Sequence, residues 1–173
     1  MQADDHNEVS TPKPKSEPEP EPEPELKGIG GWLILPFIGV IFSALFMPFI
    51  LWNHNLDVIE YWSELTLPES ANFVPLFKEL MYFEVVGNAI IYGTVLYLCY
   101  LFFTKKKLII KVYAFFQIFS LAVIIADLVL ANQFLDLEMD SSDIREVLRG
   151  VFGCLVWVPY FFVSVRVRNT FVN

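Results

Sequence analysis

Residues 31–52 read GWLILPFIGVIFSALFMPFILW, an apolar run without a single charged side chain. An α-helix needs about 20 such residues to cross a hydrocarbon core of about 30 Å. Trp32 and Trp52 stand at the two ends, where tryptophan favours the membrane–water interfaces. Pro36 and Pro48 lie close to those ends, where a break in helical hydrogen bonding costs least. The run is therefore predicted to be a first transmembrane helix.

Three further apolar runs follow it along the chain. They occupy about residues 83–103, 108–131 and 147–165, and each approaches the length that spans a bilayer. Apolar residues make up 55% of the sequence and charged residues 18%. Soluble globular domains have about 45–50% and about 25%, so a soluble α/β domain is disfavoured. The predicted fold is an all-α membrane protein, a bundle of four transmembrane helices within residues 28–173.

Lysine and arginine predict the orientation of this bundle, because cytoplasmic connections carry an excess of them. With four crossings, both termini and the second connection share one side of the membrane. Nine basic residues fall on that side and three on the other. Both termini are therefore predicted to be cytoplasmic. The three opposing residues are Lys78, Arg145 and Arg149.

Residues 1–27 form an acidic tail in which glutamate and proline alternate from Glu17 to Glu25. Proline blocks helix and sheet hydrogen bonds and the glutamates repel one another, which predicts a disordered, extended cytoplasmic segment. The tail serves either as a solvated spacer or as a docking arm for a basic partner. It lacks the apolar region of a cleavable signal peptide, so the first span is expected to act as an uncleaved anchor.

Polar residues inside the spans are candidates for function because they are costly in lipid. The candidates are Glu84 and Asn88 on the second span, Asp127 on the third, and Arg145 and Arg149 on the fourth. All five are expected at one depth in the outer leaflet. They either bind an ion, a lipid headgroup or a small solute, or they clamp the helices together and reach the outer interface.

A second cluster is basic and is expected on the cytoplasmic face. Its members are Lys105, Lys106, Lys107, Lys111, Arg166 and Arg168. Each such charge near an anionic membrane surface contributes about 1 kcal/mol. The cluster is expected mainly to fix the topology, with contacts to anionic lipids as a secondary role.

Other classes of function find no support in the sequence. Cys99 and Cys154 are expected near opposite faces, on the order of 15–20 Å apart by helical rise, too far for a disulfide. His6 and His54 are expected on opposite sides of the membrane, so no metal site is predicted. No hydrolase, nucleotide-binding or metalloprotease motif occurs. No basic stripe suits nucleic acid. We expect a protein that is not an enzyme, with no cofactor and no nucleic-acid partner.

The two ends of the apolar region resemble a known bacterial family. Gly30-Gly31-Trp32-Leu33 opens the first span, and Val158-Pro159-Tyr160-Phe161 closes the fourth, followed by Ser164, Arg166-Val167 and Thr170-Phe171-Val172. These motifs are similar to those of the YdgK-like family of small inner-membrane proteins, a domain of unknown function. The resemblance covers about residues 30–172. It implies a four-helix protein of the bacterial inner membrane and implies no activity.

Two functions are weighed on these grounds. The first is a non-enzymatic accessory, scaffold or self-associating membrane subunit, whose small residues Gly39, Ser43, Gly150 and Gly153 suit helix packing against a partner or within the bundle. The alternative is a small transporter or channel component built around the outer-leaflet polar cluster. The lipid bilayer is a partner in both, and a homo-oligomer or a membrane-protein partner is possible in the first.

Overall fold

The computed structural model describes residues 27–135 and 138–173, and the regular structure in these two ranges is helical throughout. Residues 1–26 of the predicted disordered tail lie outside the described residues. A short 3-10 turn at Gly31–Leu33 leads into the first helix. The helices are α1 (Ile34–Glu60), α2 (Trp62–Thr66), α3 (Phe77–Thr104), α4 (Ile109–Leu135), α5 (Ser141–Val163) and α6 (Val165–Thr170).

Four segments are long and apolar enough to cross a membrane. They are Gly31–Glu60, Phe77–Thr104, Ile109–Phe134 and Ser141–Val163. At 1.5 Å per residue even the shortest covers about 35 Å, more than the hydrocarbon core of about 30 Å. The predicted all-α transmembrane fold is confirmed, and the protein is a multi-pass membrane protein.

The helices do not end where the apolar runs end. The first continues to Glu60, the second begins at Phe77 and the fourth begins at Ser141, so each is longer than its predicted span. Hydrophobicity marks only the part of a helix that lipid covers, and these helices continue with polar residues. The fourth ends early instead. Ser164 leaves the helical conformation, and its hydroxyl accepts a hydrogen bond from the Val167 N–H to cap α6.

The long helices pack in chain order, α1 against α3, α3 against α4 and α4 against α5. Close approach is possible where a glycine meets a side chain. A Cβ at Gly87 on α3 would lie 3.1 Å from Val123, and one at Gly150 on α5 would lie 2.9 Å from Leu121. The segment at Gly28, helix α6 with Asn173, and the α3–α4 turn lie at one end of the bundle, here called the terminal end. The α2 region and the α4–α5 connection lie at the other, the loop end.

The tightly packed core lies at the terminal end. Tyr113 and Phe161 stack with ring centroids 4.0 Å apart, and the fully buried Phe102 meets Phe37 and Phe171 edge-on. Without water to drive helices together inside a bilayer, this van der Waals packing is a main source of cohesion. The buried cluster comprises Leu33, Val40, Val95, Leu98, Leu101, Phe102, Ile109, Tyr113, Phe161, Val167 and Phe171.

Midway along α1, Pro48 interrupts the helical hydrogen bonding. Proline has no N–H, so the carbonyl of Ala44, four residues earlier, loses its helical donor. The Tyr92 hydroxyl of α3 lies 3.4 Å from this carbonyl oxygen and donates to it. A neighbouring helix thus supplies the donor that the proline removes, which is how kinked helices are tolerated in membranes.

Candidate functional site

A cleft of about 440 Å³ opens on one side of the bundle, where α1 and α5 diverge over α4. Leu35, Gly39 and Ser43 line it from α1, and Phe152 and Trp157 line it from α5. Its floor belongs to α4, which packs directly against α5. Because its walls are transmembrane helices, the cleft faces the lipid.

The floor of the cleft is polar. Gln117 and Ser120 lie on it, eight and eleven residues after the start of α4. At 1.5 Å per residue they stand about 12 and 16 Å along the helix, close to the middle of a hydrocarbon core of about 30 Å. Neither residue is among the five polar candidates chosen from the sequence, although a polar pair at mid-span is the signal that could have found the site.

The Ser120 hydroxyl is the most unusual group in the cleft. Its oxygen is buried and has no hydrogen-bond partner among the described residues. A buried polar group in that condition costs about 1–3 kcal/mol, and water is scarce at this depth in a bilayer. Such a group in a folded protein calls for an explanation.

Gly150 and Gly153 bring α5 onto this floor. A Cβ at Gly153 would lie 3.0 Å from Nε2 of Gln117, and the Cys154 thiol donates to the Gln117 carbonyl oxygen at 3.3 Å. Gly150 and Gly153 were expected to pack either against a partner or within the bundle, and in the structure they pack within the bundle. Gly39 differs, since a Cβ there would meet nothing within 4 Å.

Two charged residues, Glu146 and Arg149, line the loop-end part of the cleft. Both also line an adjoining groove with Ser142 and Arg145, and all three charged side chains are exposed. Nε of Arg145 donates to the Ser141 carbonyl oxygen at 3.0 Å. The structure therefore brings the two predicted arginines together at one surface.

The predicted acids occupy the neighbouring helix pair. Gly87 faces Val123, so Glu84, three residues before Gly87, stands level with Asp127, four residues after Val123. Both acids and Asn88 are half-buried. Arg145 stands near the same level on α5, five residues from the Gly150–Leu121 contact. Glu84, Asp127 and Arg145 therefore stand at similar levels along their helices, while Arg149 lines the cleft.

The basic cluster surrounds a joint between the chain ends. Thr170 accepts from the Gly28 N–H at 2.9 Å and donates to the Gly28 carbonyl oxygen at 3.2 Å. The Asn173 carbonyl oxygen accepts from the Lys107 N–H at 2.8 Å, and the Asn173 N–H donates to the Lys105 carbonyl oxygen at 3.2 Å. These bonds bring the α3–α4 turn and α6 next to each other.

The end motifs quoted for the family resemblance meet at this joint. The Arg166 guanidinium lies over Gly30, where a Cβ would come 2.9 Å from Nη1, so a side chain there would displace it. Nearby, the Lys106 ammonium lies 5.1 Å from the centre of the Tyr100 ring. Hydrogen bonding to the Tyr100 side chain raises the pKa of Lys106. Across both described ranges, no three His, Cys, Asp or Glu residues lie close enough to hold a metal ion.

The fold and these end motifs define a four-span α-helical membrane protein. A family model described as protein of unknown function (DUF2569) matches residues 26–172, and the chain belongs to that family. The match includes both end motifs and the whole described bundle. No curated protein and no solved structure gives a significant match. The narrower YdgK-like assignment stays a prediction.

Proposed function

We propose that this protein is a non-enzymatic accessory subunit of the bacterial inner membrane, which receives a transmembrane helix of another membrane protein in its cleft. The observation that carries the proposal is the buried, partnerless hydroxyl of Ser120 on the cleft floor. The partner helix is expected to present a hydrogen-bonding side chain, such as serine, threonine, asparagine or glutamine, at the depth of Ser120, and the Ser120 side chain is expected to rotate so that its hydroxyl reaches the cleft.

The depth of the polar floor favours a helix over a lipid. Phospholipid headgroups lie at the interfaces, so only acyl chains reach the middle of the membrane, and they offer no hydrogen bond to Ser120 or Gln117. Interhelical hydrogen bonds between small polar side chains are a common means of association in membranes. A hydrogen bond from a partner helix would also remove the free-energy cost of the unsatisfied Ser120 hydroxyl, whereas an acyl chain would leave that cost unchanged.

The α1 wall is shaped for close contact. Gly39 and Ser43 stand one turn apart and both line the cleft, and no described residue comes within 4 Å of a Cβ at Gly39. Small residues four apart let two helix backbones approach closely. The wall therefore offers room and backbone contact where the floor offers hydrogen bonds.

The proposed orientation has both termini in the cytoplasm and rests on the nine-to-three division of basic residues. The basic cluster at the terminal end then faces the anionic cytoplasmic leaflet, where its side chains contact anionic lipid headgroups. Reporter domains fused after Lys107 and within residues 53–76 test this orientation. A cytoplasmic signal from the second fusion would refute it.

Photo-crosslinking in native membranes tests the cleft. A photoreactive amino acid replaces Leu35 on the α1 wall or Phe152 on the α5 wall. The matched controls are Leu45 and Leu155, which are 68% and 70% exposed on the same helices and do not line the cleft. We expect one discrete protein adduct from both cleft positions and none from either control.

The identity of the adduct decides the outcome. Equal labelling at cleft and control positions, or lipid adducts alone, would contradict the proposal. An adduct at twice the mass of the chain would replace it with self-association.

A second variant separates partner binding from folding. Ser120→Ala removes the orphan hydroxyl, so the isolated protein should unfold at the same or a slightly higher temperature. In membranes, the same variant should lose most of the adduct formed from position 152. Unchanged capture by Ser120→Ala would show that the hydroxyl does not bind the partner.

A further inference from the structure

The terminal end of the bundle carries a continuous basic face, made of Lys27, Lys105, Lys107, Lys111, Arg166 and Arg168. All but the half-buried Arg166 are exposed. The Asn173 and Thr170 hydrogen bonds described above join the α3–α4 turn, α6 and the segment at Gly28. The face is therefore one surface assembled from three parts of the chain.

No acidic side chain balances this face within the described part of the protein. The described acidic residues lie at Glu60, where α1 ends, in the segments that connect the helices at the loop end, or on the loop-end parts of α3, α4 and α5. None of the six basic residues forms an ion pair with another described residue.

The nearest acids along the sequence belong to the Glu-Pro run, Glu17–Glu25, which ends two residues before Lys27. Thr170 holds Gly28 beside α6, which carries Arg166 and Arg168. The run ends at Glu25, three residues before Gly28 in the sequence. Nine residues of polyproline geometry reach roughly 28 Å, enough to pass from α6 to the α3–α4 turn. The glutamates alternate with prolines, so the run cannot extend the helix of the first span backwards.

We propose that the acidic run Glu17–Glu25 binds the basic face of the same chain. Five carboxylates meet five exposed cations and Arg166, and the tether at Gly28 keeps the run at an effective concentration in the millimolar range. Proline restricts the unbound run beforehand, which lowers the entropy lost on docking. The docked tail and anionic lipid headgroups compete for the same cations. This inference is independent of the partner helix proposed for the cleft.

Distance measurements between two spin labels test this directly in the full chain in lipid nanodiscs. Cys99→Ala and Cys154→Ser clear the background, and labels are placed at Ser16→Cys and Asn169→Cys. Both labelled residues are uncharged, and Asn169 is exposed on α6. The matched control changes the five glutamates of the run to glutamine, which keeps its length and prolines.

In zwitterionic lipid at low salt we expect the native run to give a shorter and narrower distance distribution than the neutralised run. Raising the salt to 1 M shortens the Debye length to about 3 Å and should make the two distributions coincide. Adding anionic lipid at low salt should also move the distance distribution of the native run toward that of the neutralised run. Coincidence of the two distributions already at low salt in zwitterionic lipid would overturn the proposal.

A variant of the basic face tests whether the acidic run binds this face and not another part of the protein. Lys107→Gln with Arg168→Gln changes two exposed side chains and leaves the other four cations to hold the topology. It should shift the native distribution most of the way to that of the neutralised run. Lys78→Gln at the loop end should leave it unchanged. An equal response to both changes would also overturn the proposal.

Discussion

Two regions of this bundle differ in how they are held together. At the terminal end, aromatic and branched side chains from all four spans close into a buried cluster, and hydrogen bonds join the start of the chain, the central turn and the chain end. On one side of the bundle, α1 and α5 separate over α4 and leave a cleft with a polar floor, which extends from Leu35 near the terminal end to Arg149 near the loop end. The buried cluster has the features of a structural joint, and the cleft has those of a binding surface.

The difference matters because lipid is as apolar as the side chains that it covers. A membrane helix gains little from burying leucine, so tight packing and satisfied polar groups decide where helices stay together. The terminal end meets both conditions. The open side of the cleft has neither tight packing nor a fully satisfied polar floor, which is why we place function there. Four changes test this contrast between the buried cluster and the cleft.

The largest effect is expected for Phe102→Ala at the terminal end. Phe102 is fully buried and contacts the rings of Phe37, Phe161 and Phe171. The cavity should lower the free energy of unfolding by about 3–5 kcal/mol, measured by denaturant titration in detergent micelles. Phe152→Ala, which empties a 67% exposed site at the cleft, should change it by less than about 1 kcal/mol. Similar losses at both positions would show that the cleft wall is packed as tightly as the terminal end.

The second effect compares glycines. Gly150→Leu forces a side chain against Leu121 and should lower the free energy of unfolding by about 1–3 kcal/mol. Gly39→Leu and Gly93→Leu add the same side chain where a Cβ meets nothing within 4 Å, and both should fold normally. Gly39 lines the cleft and Gly93 does not, so only Gly39→Leu should abolish the crosslink from position 152. Loss of that crosslink in Gly93→Leu as well would argue against a partner in the cleft.

The third effect concerns the joint between the chain ends. Thr170 is 2% exposed, and its hydroxyl makes both hydrogen bonds to Gly28. Thr170→Val keeps the shape and leaves the Gly28 groups without their partner, so the free energy of unfolding should fall by about 1–3 kcal/mol. Protease cleavage near residue 27 should also become faster. An unchanged cleavage rate would mean that this pair of bonds does not hold the start of the bundle.

The sequence predicted the four spans because a bilayer imposes one length and one polarity on any helix that crosses it. It also predicted that the basic residues would cluster. It did not reveal the cleft, since Gly39 and Gly150 both lie within predicted spans and only the folded structure shows that Gly150 meets Leu121 while Gly39 meets no described side chain. The break at Ser164 and helix α6 were missed because the apolar run continues through Val165. Asp140 was missed although its spacing to Asp143 is that of a helix-capping box.

Asp140 provides the smallest and most local test, at the loop end where α5 begins. Its carboxylate accepts from the Ser142 hydroxyl and from the N–H groups of Ser142 and Asp143, and Asp143 accepts from the Asp140 N–H in return. The hydrogen bond from the Ser142 side chain, followed by the backbone bonds, lowers the pKa of Asp140. A lowered pKa stabilises the folded state above the usual value of about 3.9, and this contribution is lost as the pH falls through the folded-state pKa.

Thermal unfolding between pH 6 and pH 2.5 measures that contribution. Over this range the midpoint temperature of the native protein should fall further than that of Asp140→Asn. The two midpoint temperatures should converge at the acid end. Glu138→Gln, which removes an exposed acid outside the capping box, should follow the native curve. Because the cap lies far from the packed core, a shift confined to α5 also shows whether the loop half opens independently of the terminal end. Hydrogen exchange that rises in α5 alone on acidification would confirm that independence, and a uniform rise across all four spans would contradict it.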